Sequence, residues 1–116
     1  VKQPGQVAIL KFPQTDLAPG KPRPVLLIAR LLGPYDDWLV SMISTQLQQS
    51  IEGFDEVIDQ GDDDFHVSGL KVPSVIRISR LAVVSADLLV GAIGQISPHR
   101  MRIVQRRLAE WISGRT

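Results

Sequence analysis

The chain reads as a mainly β domain with minor α: a small, strongly bent antiparallel sheet with one C-terminal helix packed on it. Two observations carry that reading. Apolar runs of strand length recur between residues 7 and 83, separated by Gly-, Pro- and Asp-rich turns, with no alternation of strands and helices that would build a parallel sheet. The one sustained helical periodicity falls at the C-terminus, where Met101, Val104, Leu108, Trp111 and Ile112 recur at helical spacing.

Residues 7–12 and 25–32 read as the first two strands. The second opens on Val25-Leu26-Leu27-Ile28, apolar on both faces, which predicts a central strand. Gly33-Pro34-Tyr35-Asp36-Asp37 is a turn by its residue chemistry. Residues 38–45 alternate, with Trp38, Val40, Met42 and Ser44 on one face and Leu39, Ser41, Ile43 and Thr45 on the other. Residues 54–58 suit a short fourth strand. Residues 74–83 suit a fifth, with Ile76 and Ile78 on one face and Val75, Arg77 and Ser79 on the other.

Ser85 resembles an N-cap for a helical turn over residues 86–91, with Gly91-Ala92-Ile93-Gly94 as its exit and one more short strand behind it. Ser97 and Pro98 then suit the N-cap and first residue of the closing helix. Leu26, Ile28, Val40, Ile76, Leu108 and Trp111 are the expected core. Arg100, Arg102, Arg106 and Arg107 lie off the apolar stripe, as a solvated basic face would. A small SH3-like barrel with the last helix packed against it accommodates this order.

At 116 residues the chain is expected to be a single domain, residues 1–116, with one modest core. Its 44% apolar and 22% charged residues belong to a globular chain rather than a disordered one. No apolar run approaches the roughly 20 residues of a membrane span, and no secretory signal is evident, so no membrane partner is expected and the cytoplasm is the expected compartment. Without cysteine there is neither a disulfide framework nor a thiolate metal site. His66 and His99 are far apart, lack ligand-type neighbours and are expected at the surface. No metal and no cofactor is therefore expected.

The net charge of +1 hides a segregated distribution. Seven of the twelve acids lie between Glu52 and Asp64, and no Lys or Arg occurs from Leu31 to Leu70. The bases gather in the N-terminal third, around residues 71–80 and along the last helix. A nucleic acid would then use a local pocket around Lys21, Arg23 and Arg77, with the acidic segment facing away and Asp62-Asp63-Asp64 a solvated loop. Pro22 and Pro24 hold the backbone extended around Arg23. A guanidinium fixed at a strand mouth suits phosphate oxygens. The same residues also suit a surface arginine with proline punctuation.

Gly5-Gln6-Val7, Phe12-Pro13, Thr15-Asp16-Leu17, Gly20-Lys21 and Arg23-Pro24 resemble the opening of the PemK/MazF-like family of toxin–antitoxin ribonucleases. The likeness continues through Ile43-Ser44-Thr45-Gln46 and Gly69-Leu70-Lys71-Val72-Pro73-Ser74-Val75-Ile76-Arg77, and ends in residues 93–97 before the final helix. Each motif is short, and their order is what makes the resemblance specific. It implies the SH3-like barrel, a homodimer, a cognate antitoxin and sequence-selective, metal-independent cleavage of single-stranded RNA such as mRNA.

In such chemistry the ribose 2′-hydroxyl attacks the adjacent phosphate, so the protein supplies orientation and charge stabilisation rather than a nucleophile. The resemblance implies Arg23 and Ser44 as catalytic residues, Arg23 on the phosphorane charge and Ser44 on the phosphate or 2′-hydroxyl. It implies RNA contacts at Thr15, Lys21, Thr45, Gln46, Arg77 and Ser79. Three positions depart from the family pattern: Ser44 replaces the usual threonine, Gln6 stands where an aspartate is common, and Ser79 stands where some members carry an acid. With serine at 79, Arg77 is left as a second phosphate ligand. The alternatives are a non-catalytic binding module on the same barrel, for RNA or peptide, and a structural domain in which Arg23 and Ser44 point apart.

Overall fold

A computed structural model describes residues 2–11 and 21–115. Its elements in chain order are β1 (Gln6–Leu10), β2 (Arg23–Arg30), β3 (Asp37–Ser44), a 3-10 turn (Leu47–Gln49), β4 (Glu56–Ile58), β5 (Ser74–Ser85), a second 3-10 turn (Ala86–Leu88), β6 (Leu89–Gln95) and α1 (Pro98–Ser113). The strands form one antiparallel sheet in the order β4-β5-β3-β2-β1-β6. Among the described residues no ladder joins β4 to β6, so the bent sheet does not close on itself. The segment after β4 bridges the gap instead, with the Gln95 N–H donating to the Val67 carbonyl at 2.8 Å.

β2 lies inside the sheet, as its unbroken apolar run predicts, and that run is explained by burial on both faces. Leu26 and Ile28 join a cluster with Val7, Ile43, Ile76, Ile78 and the helix residues Met101, Val104 and Leu108. Val25 and Leu27 join a second cluster with Ala8, Leu10, Trp38, Val40, Val84 and Leu89. The core is thus divided between two sides of a bent sheet, where one was expected. Leu32, expected at the end of β2, is fully exposed beyond the strand.

β5 changes sides part-way. Its register to β3 runs Ser41↔Leu81 and then Met42↔Arg77, so residues 78–80 have no partner on β3. Three extra residues invert the period-2 pattern. Ile76 and Ile78 pack on the helix side, whereas Ala82 and Val84 pack on the other. Side chains satisfy the displaced backbone: Ser41 Oγ donates to the Arg77 carbonyl at 2.7 Å, and the Ser79 N–H donates to Asp55 Oδ1 at 3.0 Å.

The expected helix exit at residues 91–94 is strand. Only the 3-10 turn Ala86–Leu88 is helical, capped by Ser85 Oγ, and β6 follows at once. Gly94 serves close approach: a Cβ there would drive into the Val67 carbonyl. Gly94 thus marks a crowded strand and not a helix end.

α1 begins as expected, with Ser97 Oγ accepting the Arg100 N–H at 3.0 Å and Pro98 in its first turn. It ends at Gly114 with φ 76°, a conformation that glycine adopts without strain. Met101, Val104 and Leu108 are buried, but Trp111 is 54% exposed and Ile112 69%. The expectation of a buried Trp111 fails because the last turn lies over the 51–54 segment, where Phe54 meets the indole edge at a ring separation of 6.2 Å.

The basic face of α1 is not simply solvated, and the acidic run is not a free loop. Arg100, with a side chain only 12% exposed, donates to Asp64 at 2.8 Å, Glu56 at 3.0 Å and Asp62 at 3.0 Å. The other Glu56 oxygen accepts from Arg107 at 2.8 Å, and Arg107 also donates to the Phe54 and Asp55 carbonyls. Burial works against ionisation of Asp64, and the Arg100 guanidinium with the Ser97 N–H outweighs it, holding the carboxyl below its usual range. The segregated charge has a physical reason: three of the seven acids, Glu56, Asp62 and Asp64, take their cations from α1.

Candidate functional site

Arg23 is the first residue of β2 and is exposed, paired on its β1 side with Leu10. Ser44 is the last residue of β3 and pairs on its other side with Val75 of β5. The β2–β3 ladder runs to Val25↔Met42. Arg23 and Ser44 lie two residues beyond that last pair, at the same end of the two neighbouring strands. The row behind them is Val25, Met42 and Arg77, from three adjacent strands. Strand alternation therefore sets Arg23, Ser44 and Arg77 on one face, at the end of three paired strands. Helix α1 lies on the opposite face, with Leu26, Ile43 and Ile76.

The turn after β3 completes this corner. Ser44 Oγ accepts the Gln46 N–H at 3.0 Å, which leaves the hydroxyl proton to donate. Gln46 precedes the 3-10 turn and accepts from Gln48 Nε2 at 2.8 Å, and Thr45 between them is exposed. Gln49 at the end of the turn accepts from Arg77 Nη1 at 3.3 Å. Arg77 Nε is buried with no hydrogen-bond partner among the described residues. Lys21 is exposed two positions before β2. Together these groups form a corner rich in hydrogen-bond donors, suited to an anion with several oxygens.

Ser79, an expected contributor, and Gln6, one of the positions that depart from the family pattern, stand elsewhere. Ser79 belongs to the unpaired part of β5, and its hydroxyl donates to Asp55 Oδ2 at 3.1 Å. It lines a separate groove of about 560 Å³ with Ile51, Phe54, Leu81 and Trp111. Gln6 sits at the far end of β1, opposite Gln95, where its side chain accepts the Gln3 N–H at 2.8 Å. Thr15, and with it most of the loop before β2, lies outside the described residues.

A family model described as PemK-like, MazF-like toxin of type II toxin-antitoxin system matches residues 3–112. The chain belongs to this toxin family. A comparison with curated proteins finds no match. Among solved structures the toxin's fold is similar to that of the Mycobacterium tuberculosis toxin MazF-mt6, with a TM-score of 0.65 and 19% identity over 93% of this chain and 96% of that one. It is equally similar to an endoribonuclease in complex with its cognate antitoxin from Mycobacterial species, at TM-score 0.65 and 17% identity over 97% of this chain and 96% of that one. At such identities the likeness carries the fold.

Reading the sequence missed Gln49 and Asp55. Gln49 had no motif signal, because it meets Arg77 across 28 positions. Asp55 is counted in the sequence only as one of seven clustered acids, yet it is 5% exposed and accepts from Ser79 and from the Ile51 N–H at 2.9 Å. Its neighbours Phe54 and Val57 were the available hint, since an acid inside a short apolar stretch is a candidate for burial.

Proposed function

We propose that this toxin is a sequence-selective endoribonuclease that cleaves single-stranded RNA without a metal ion. The observation that carries the reading is that Arg23 and Ser44 lie at the same end of two paired strands, with Arg77 opposite Met42 in the row behind them. The scissile phosphate would lie across these three side chains. The ribose 2′-hydroxyl attacks phosphorus, and the bond to the 5′-oxygen of the next nucleotide breaks. Arg23 stabilises the charge that builds on the phosphorane oxygens, where a positioned donor has its largest effect. Ser44 donates its proton to a phosphate oxygen or accepts from the 2′-hydroxyl, and its bond from the Gln46 N–H holds the rotamer. Arg77 and Lys21 hold flanking phosphates, and Thr45 and Gln46 face the nucleotides on either side.

The same reading gives the toxin a cognate antitoxin, whose acidic and partly disordered tail covers this corner, and a homodimeric, cytoplasmic existence. Folding on binding lets a short tail cover a large surface. Support comes from family membership and from the exposed Lys21 and Arg23 and the half-buried Arg77 at this end of the sheet.

The test is incubation with a long unstructured RNA in EDTA, followed by mapping of the new ends. Products carrying a 2′,3′-cyclic phosphate and a free 5′-hydroxyl are expected, clustered at a short sequence motif. A 5′-phosphate product would mean that water or a metal-bound hydroxide is the nucleophile. Salt-sensitive RNA binding with no cleavage under any condition would turn the reading to a non-catalytic RNA-binding module.

A further inference from the structure

We infer that Asp55 is a positioning residue for Arg77, acting through Ser79 and Ile51; the inference rests on the proposed role of Arg77 as a phosphate ligand. Asp55 is a buried carboxylate without a guanidinium or ammonium on its oxygens among the described residues. Its oxygens accept from the Ser79 N–H at 3.0 Å, the Ser79 hydroxyl at 3.1 Å and the Ile51 N–H at 2.9 Å. Burying an ionised carboxylate among neutral donors is costly, and an apolar residue would serve the core better. What the carboxylate achieves is a tie between two chain segments that lead into the Arg23–Ser44 corner.

The first segment is the unpaired part of β5. Arg77 is the last residue laddered to β3 before residues 78–80 leave the register, and it lies one residue beyond the end of the β4 ladder at Glu56↔Ile76. Asp55 holds this stretch by fixing Ser79, two residues on. The second segment is the turn that follows Ser44. Gln49 ends the 3-10 turn, and Ile51, two residues later, donates to Asp55. The Arg77 Nη1 bond to Gln49 joins the two segments at the corner. A closed circuit results, from Asp55 through Ser79 to Arg77, across to Gln49, and back through Ile51. Arg107 fixes the hub by donating to the Asp55 carbonyl at 3.0 Å. The guanidinium of Arg77 is thereby aimed before any RNA arrives.

The decisive measurement is the affinity for a long unstructured RNA made uncleavable by 2′-fluoro riboses, for Arg77→Ala, Asp55→Asn and the double variant, well below their melting temperatures. Arg77→Ala should weaken binding by at least about tenfold, as loss of a charged hydrogen-bond donor does. Asp55→Asn, isosteric but unable to accept all three bonds, should weaken it about 3–10-fold, and the double variant should bind no worse than Arg77→Ala alone. Additive losses, or wild-type affinity in Asp55→Asn with only a lowered melting temperature, would overturn the inference while leaving Arg77 in its role. Wild-type affinity in Arg77→Ala would remove both. Should Asp55→Asn not fold, Ser79→Ala deletes a single bond of the circuit. It should move affinity in the same direction by a smaller factor, again without effect in the Arg77→Ala background, and an independent loss there would equally sink the idea.

Discussion

Arg100, in the first turn of α1, and Arg23, at the start of β2, both carry guanidinium groups, yet their surroundings differ completely. Arg100 is 12% exposed and meets carboxylates of Glu56, Asp62 and Asp64, while Arg23 is exposed and forms no ion pair among the described residues. The difference teaches how a chain of net charge +1 acquires a positive corner. Much of the acidic run is gathered onto α1 on one side of the sheet, which leaves Arg23, Arg77 and Lys21 on the other with little local compensation. Inside a fold, an ion network organises structure; a cation left without a carboxylate can bind something else.

The comparison can be broken by exchanging which property each arginine controls. Arg100→Ala should cost the most in stability, about 3–5 kcal/mol, because it strands buried carboxylates. Urea titration would measure it, and RNA cleavage per folded molecule should remain close to wild type. Arg23→Ala should do the reverse: cleavage falls about 100–1,000-fold, roughly 2.7–4 kcal/mol of barrier, with the urea midpoint unchanged. Full cleavage in that variant would dissolve the contrast.

Acid sharpens it further. The folded Asp64 carboxyl lies below its unfolded value, so its stabilisation is present above the ordinary carboxylate range, about pH 3.9, and disappears as pH falls through the folded value. Melting temperature followed from pH 6 to pH 2.5 should drop more steeply for wild type than for Asp64→Asn; parallel curves would mean that the pairing contributes nothing. The smallest effect belongs to Ser44. Ser44→Ala removes one neutral hydrogen bond, about 0.5–1.5 kcal/mol or roughly 2–12-fold in cleavage rate, and Ser44→Thr should retain activity. A Ser44→Ala loss as large as that of Arg23→Ala would make Ser44 a proton-transfer group.

What the sequence determined by itself was everything governed by local pattern. The double-sided apolar run of β2, the alternation of β3 and the Ser97-Pro98 start of α1 are short-range signals, and each element formed near its expected place. The ordered family motifs likewise marked Arg23 and Ser44 before any register was known. Tertiary structure alone decided matters that depend on distant partners. The bulge at residues 78–80 reverses β5 because Ser41 and Asp55 satisfy the backbone that it frees. Gly94 sits in a strand because Val67 presses against it. Trp111 stays half exposed because the sheet core does not extend under the last turn of α1. The acidic run is structural because Arg100 reaches it across 36 to 44 positions of sequence. Periodicity reports which face of an element is apolar. It carries no information about which distant charge or carbonyl will meet that element, because that choice is made by packing.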